Sequence, residues 1–144
     1  MAGGTYKVEF DVSKLEKFIS SLSKFNPREL LDNVGALVET QTQDRFEKKT
    51  DPDDKKWVKW SSKYKKSGKG INILRNTQRL FGSINYQVKG NQVEVGSNVE
   101  YSATHNYGDK SRNIPKRTFL GLSNQNKKDV ETIVKLYIED LSNE

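Results

Sequence analysis

The sequence predicts an α+β fold in which helices precede and follow a small antiparallel sheet. Three observations carry that prediction. Tyr6, Val8, Phe10 and Val12 alternate with polar residues, two short β-prone stretches flank Lys89-Gly90-Asn91, and both ends of the chain hold apolar residues at helical spacing. A chain of 144 residues, 33% apolar and 31% charged, has the size and balance of one ordinary domain, so residues 1–144 are expected to share a single core.

The first strand is expected across Tyr6–Val12, whose period of two buries one face. From Ser13 the apolar positions become Leu15, Phe18, Ile19 and Leu22, an amphipathic helix capped by Ser13 or Asp11 and ending near Phe25. Asn26-Pro27-Arg28-Glu29 then supplies a cap, a proline at the first helical position and an acid in the first turn. The helix it starts should run to about Lys48, with Leu30, Leu31, Val34, Leu37, Val38 and Phe46 on its apolar stripe. Asn72–Phe81 reads as a short helix or turn. Ser83–Val88 and Gln92–Ser97 form a hairpin whose link contains the glycine that a positive φ requires. Val99–Tyr107 has room for two helical turns before Gly108, which suits a helix stop. Ser123 caps a terminal helix carrying Val130, Ile133, Val134, Tyr137 and Leu141.

Charge is uneven. Residues 48–69 hold nine Lys and three Asp, so this stretch carries the whole net charge of +6 and the rest of the chain sums to zero. Bounded by Asp51-Pro52 and Gly68-Lys69-Gly70, it is expected to be an exposed basic arm at about 49–70, with Lys55, Lys56, Lys59, Lys63, Lys65, Lys66 and Lys69 as its positive face. Trp57, Trp60 and Tyr64 lie three and four residues apart among those lysines and on a helix would share one face. Such a face anchors the arm to a core or a neighbouring subunit, the preferred reading, or it stacks on unpaired bases as a small single-stranded nucleic-acid binder.

Several functions are excluded or unsupported. No run approaches the roughly 18 apolar residues of a membrane span, and the opening MAGGTYKVEF lacks the features of a secretory signal, so a cytosolic chain is expected. Without cysteine there is no disulfide, thiolate metal site or cysteine nucleophile. Asp51, Asp53 and Asp54 fail as a calcium loop, because the sixth position is Lys56 and the twelfth Ser62. His105, the one histidine, has no acid near it in sequence and reads as a packed structural residue. No enzyme activity, metal or cofactor is expected.

From residue 46 onward the pieces fall into one order. Phe46 precedes Asp51-Pro52, Trp57, Ile73-Leu74, Thr77 with Leu80, Ser83-Ile84, and a Val93-Glu94-Val95-Gly96 strand. Tyr101, His105 and Gly108 follow, then Ile114-Pro115-Lys116-Arg117-Thr118-Phe119-Leu120-Gly121-Leu122-Ser123. This order resembles the phage virion morphogenesis, or tail completion, family of contractile-tailed and Mu-like phages. The chain departs from the family's pattern at Asp54 and Gln78, where glycine is expected, and at Ser102, where alanine is.

The resemblance implies a non-enzymatic virion component at the head-proximal end of the tail. It would complete the tail and join it to the head as a ring, six copies matching tail symmetry, after assembly in the host cytoplasm. A tail terminator that caps the tube is the alternative within that class. Its partners would be further copies of itself and other neck and tail proteins, with DNA in the channel as a further contact and no membrane. Trp57, Trp60, Tyr64, Tyr101, His105, Pro115, Arg117 and Phe119 are the expected subunit or partner interface. Arg117 is expected to be an ion-pair donor between subunits or in the core, with Phe119 and Leu120 anchoring the loop to the body.

Overall fold

The computed structural model describes residues 8–11, 25–59, 74 and 78–142. The elements run β1 (Val8–Asp11), α1 (Pro27–Lys48), α2 (Arg79–Ser83), β2 (Asn85–Lys89), β3 (Gln92–Gly96), α3 (Ser102–Tyr107), a 3-10 turn (Lys110–Arg112) and α4 (Asn124–Ser142). The class is α+β. The three strands are antiparallel in the order β1-β3-β2. Lys89 pairs with Gln92 across a two-residue turn in which Gly90 has a φ of 56°, so the hairpin forms as its sequence dictates. The helix expected over 13–25 lies outside the described residues.

Helix α1 starts where its cap chemistry demands. Asn26 is extended, and its Oδ1 accepts from the amides of Arg28 at 3.0 Å and Glu29 at 3.4 Å, while Pro27 fills a position that needs no N–H. The helix ends at Lys49, whose φ of 58° places it in the left-handed region. Leu30, Leu31, Val34, Val38 and Phe46 are fully buried, and α1 packs on β2, β3 and α4. Leu37 is only half-buried, whereas Gln41, Thr42 and Arg45 continue the buried face. Near the middle of α1, Gly35 lies directly against the ring of Tyr86 on β2. A Cβ built there would stand 2.2 Å from Cδ2, so the missing side chain sets how closely helix and sheet approach.

At the other end, Ser123 and Asn126 form a reciprocal cap for α4. The Asn126 amide donates to Ser123 Oγ, and the Ser123 amide to Asn126 Oδ1, both at 3.0 Å. Val130, Val134 and Leu141 pack against the core as their spacing predicts. Tyr137 ties the end of α4 to the start of α1, its hydroxyl accepting from the Asn26 amide at 3.1 Å and donating to the Asn26 carbonyl at 3.2 Å.

Candidate functional site

Among the described residues, the segment from Pro115 to Ser123, a chain without regular structure between the 3-10 turn and α4, is held to the core by many side chains. Residues 115–119 make no ladder, so their backbone groups need other partners if buried. Asn106, on α3 and almost wholly buried, supplies two of them: its Oδ1 accepts from the amides of Phe119 at 3.0 Å and Leu120 at 3.1 Å. Its own carbonyl accepts from the Thr118 hydroxyl at 3.0 Å. The Trp57 indole N–H donates to the Thr118 carbonyl at 2.8 Å. Arg45 Nη1 donates to the Phe119 carbonyl at 2.7 Å, and Nη2 reaches Asn126 Oδ1 at 2.8 Å. A strap from Ile114 to Leu120 is thus clamped from α1, from α3 and from the Trp57 segment.

Aromatic packing follows the same lines. Phe46 sits at the centre, its ring 5.5 Å from Trp57, 5.7 Å from Phe81 and 5.1 Å from Phe119. The Trp57 and Phe81 contacts are edge-on, the arrangement that the ring quadrupoles favour. Phe119 is fully buried and Trp57 nearly so.

Over residues 49–59 these placements change the expectation of an exposed arm, and 60–70 lie outside the described residues. Thr50 and Lys56 pair as a β-bridge, the Trp57 amide donates to the Lys49 carbonyl at 2.8 Å, and Asp51 Oδ1 accepts from the Asp53 and Lys55 amides at 2.9 Å. The start of the basic segment is therefore a closed turn docked on the body, held there by burial of the indole. Trp57 is not helical, so it shares no helix face with Trp60 and Tyr64. Engaged with Thr118 inside the fold, it is not free to stack on a base. Trp60, Tyr64, Lys63, Lys65, Lys66 and Lys69 lie outside the described residues. Lys55, Lys56 and Lys59 are exposed, and the Lys56 ammonium donates to the Lys48 carbonyl at 3.1 Å.

Arg117 is buried as well, and its guanidinium donates to the carbonyls of Val58 at 2.9 Å and Lys59 at 3.3 Å. Its amide donates to the His105 carbonyl at 2.8 Å. It therefore ties the strap to the basic segment within one subunit. Pro115 is half-buried and follows the bridge between Asp109 and Ile114. That bridge lets Lys116 pass close to Gly108, where a Cβ would lie 2.9 Å from the Lys116 nitrogen and φ is 78°. Tyr101 is half-buried, with His105 edge-on at 5.8 Å and the Arg79 guanidinium 5.7 Å above its ring. Burial lowers the pKa of His105, and the nearby Arg117 and Arg112 lower it further, so the imidazole is neutral at pH 7. Of the eight expected interface residues, Trp57, Arg117 and Phe119 are interior anchors, because each is almost wholly buried within the subunit.

The anchors that the sequence did not single out are Arg45 and Asn106. Burial lowers Arg45 to a pKa of about 10, with Asp51, Asp54, Asp53 and Asp44 opposing that fall, so the guanidinium stays charged at neutral pH. Arg45 occurs one residue before Phe46, where helical spacing puts it beside the apolar stripe, a signal that was available. Asn106 had no signal of its own.

Among the described residues no group of three or more His, Cys, Asp or Glu is placed to hold a metal ion, and no helix is long and apolar enough to cross a membrane. An uncharacterized protein of Methanocaldococcus jannaschii is 28% identical over 115 residues, covering 73% of this chain and 81% of its own. No solved structure gives a significant match. The phage virion morphogenesis family matches residues 10–139, a span that takes in the end of β1, the β2-β3 hairpin, the strap and most of α4. The chain belongs to that family, whose members serve in assembling the phage particle.

Proposed function

We propose that this chain acts at the head-proximal end of the tail, where a ring of its copies completes the tail and joins it to the head. The observation that carries this reading is the family match over residues 10–139, which includes the whole strap and its three clamps. A strap fixed from α1, α3 and the Trp57 segment suits an assembly part, since it rigidifies the body that carries any docking surface and so limits the conformational freedom lost on docking. Lys55 and Lys59 add exposed positive charge for an acidic neighbour or for DNA in the channel.

Disruption of the gene in its phage or prophage, with complementation as control, tests the proposal by electron microscopy of the particles. Filled heads beside separate tails of normal length are the expected result. Abnormally long tails move the assignment to a terminator that caps the tube. Intact infectious particles overturn a role in virion assembly.

A further inference from the structure

Positive charge gathers a second time around the start of the strap. Lys110, Arg112, Lys116 and Arg117 against Asp109 give residues 108–123 a net charge of +3, whereas α1 carries −2 and α4 carries −1. The fold draws these cations together. The bridge between Asp109 and Ile114 turns the chain back, so that Lys116 passes Gly108 while Lys110 and Arg112 sit on the 3-10 turn between them. Arg117 brings Lys59 to the same place, because its guanidinium donates to the Val58 and Lys59 carbonyls. Arg112 and Arg117 both act on the charge of His105, which places the two guanidiniums near one imidazole.

Lys59, Lys110, Arg112 and Lys116 are exposed. The acid within the stretch is already engaged: Asp109 accepts from Arg112 Nε at 2.7 Å and from the Ser111 hydroxyl at 2.6 Å. Tyr107 and Val58, two of the three large apolar side chains that are exposed among the described residues, adjoin the patch in the chain.

The composition of the patch points to its partner. Three of its four exposed cations are lysines, a residue depleted from the centres of protein interfaces. A surface of one sign with flexible ammonium tips suits an array of phosphates, where contacts depend on charge and not on base identity. One exposed tyrosine is too few for a run of stacked bases, but its hydroxyl is of a kind that bonds phosphate.

We propose that Lys59, Lys110, Arg112 and Lys116, beside Tyr107, bind the phosphate backbone of duplex DNA without regard to sequence. This deepens the joining reading above, which left exposed charge to an acidic neighbour or to DNA, and rests on that reading only for the presence of DNA.

Fluorescence anisotropy of a labelled duplex of arbitrary sequence, titrated with the full chain between about 50 and 200 mM salt, tests it. Wild-type affinity should fall linearly with salt on logarithmic axes. Lys59→Gln/Lys110→Gln/Lys116→Gln should bind at least tenfold more weakly at the low end, with a slope shallower by about one for each lysine that touches a phosphate. Arg112 is kept in this variant because it holds Asp109. Lys127→Gln/Lys128→Gln/Lys135→Gln removes the same charge from α4 and should bind within about twofold of the wild type. Equal losses in the two triple variants overturn the patch in favour of net charge alone. No loss in the first variant, or no binding by the wild type at low salt, overturns it outright. Tighter binding of the single strand, lost in Tyr107→Ala, overturns the duplex in favour of stacking on unpaired bases. Polyglutamate that displaces the label as well as unlabelled duplex does overturns DNA in favour of an acidic protein. Under every one of these failures, separate heads and tails after gene disruption still support the joining role, so the two readings fail separately.

Discussion

The strap and the three positions where the chain departs from its family's pattern meet backbone and polar demands in opposite ways. In the strap, Asn106, Arg45 and Trp57 give backbone amides and carbonyls their partners, where no sheet or helix ladder does so. Asp54 and Gln78 instead hold φ values of 64° and 62° without being glycine, a conformation that crowds Cβ against the carbonyl. Ser102, where the pattern has alanine, is buried with no partner for its hydroxyl. The difference teaches where sequence and fold agree in this chain: demands are met where distant elements converge and left open at single local positions, one in a turn and two at helix starts.

The largest expected effect lies in the strap. Asn106→Ala leaves two buried amides without an acceptor and should lower stability by about 4 kcal/mol, measured by chemical denaturation, at roughly 1–3 kcal/mol for each amide. A loss under 1 kcal/mol would mean that the strap is held by packing alone. Gly35→Ala should cost about 2 kcal/mol by forcing Tyr86 off α1, and pairing it with Tyr86→Ala should relieve most of that strain.

At the open positions the sign reverses. Gln78→Gly and Ser102→Ala should each raise stability by about 1 kcal/mol, the first by removing backbone strain and the second an unpartnered hydroxyl. Their thermal midpoints should rise additively, since the two act through separate causes. If either substitution destabilises, the contrast with the strap fails at that position.

The smallest effect is a pH dependence centred on His105. Its folded pKa lies below the ordinary value near 6.5, so below that pH the unfolded chain takes up a proton that the folded one refuses. Stability is then full above about pH 6.5 and declines as pH falls from there towards the folded pKa. Denaturation midpoints at pH 7.5 and 5.5 should differ in wild type and differ less in His105→Gln.

Much of this fold was legible because its signals are local. The Asn26-Pro27 start, the Gly90 turn, the Gly108 stop and the Ser123 cap each follow from a few adjacent residues, and each stands where expected. The family pattern was legible for a related reason, since it is an order of local pieces. Its glycine positions marked two of the residues with positive φ, Asp54 and Gln78, before any backbone angle was known, though not Lys49, Leu74 or Asn113. What the sequence did not reveal is non-local. That Trp57 faces inward depends on the Thr118 carbonyl 61 residues away, and Asn106 is an anchor because Phe119 and Leu120 pass over it. A lysine-rich surrounding made Trp57 look like part of an exposed arm, yet burial of one indole outweighs the solvation of its neighbours, whose ammonium groups reach water on flexible stems.

Amide hydrogen exchange at Phe119 and Leu120 tests most directly the claim that distant side chains clamp the strap. Both amides should be protected in the wild type and should exchange at least tenfold faster in Asn106→Ala, while the amides of Val34 and Val38 in α1 keep their protection. Equal exchange of Phe119 and Leu120 in the two proteins would contradict the clamp.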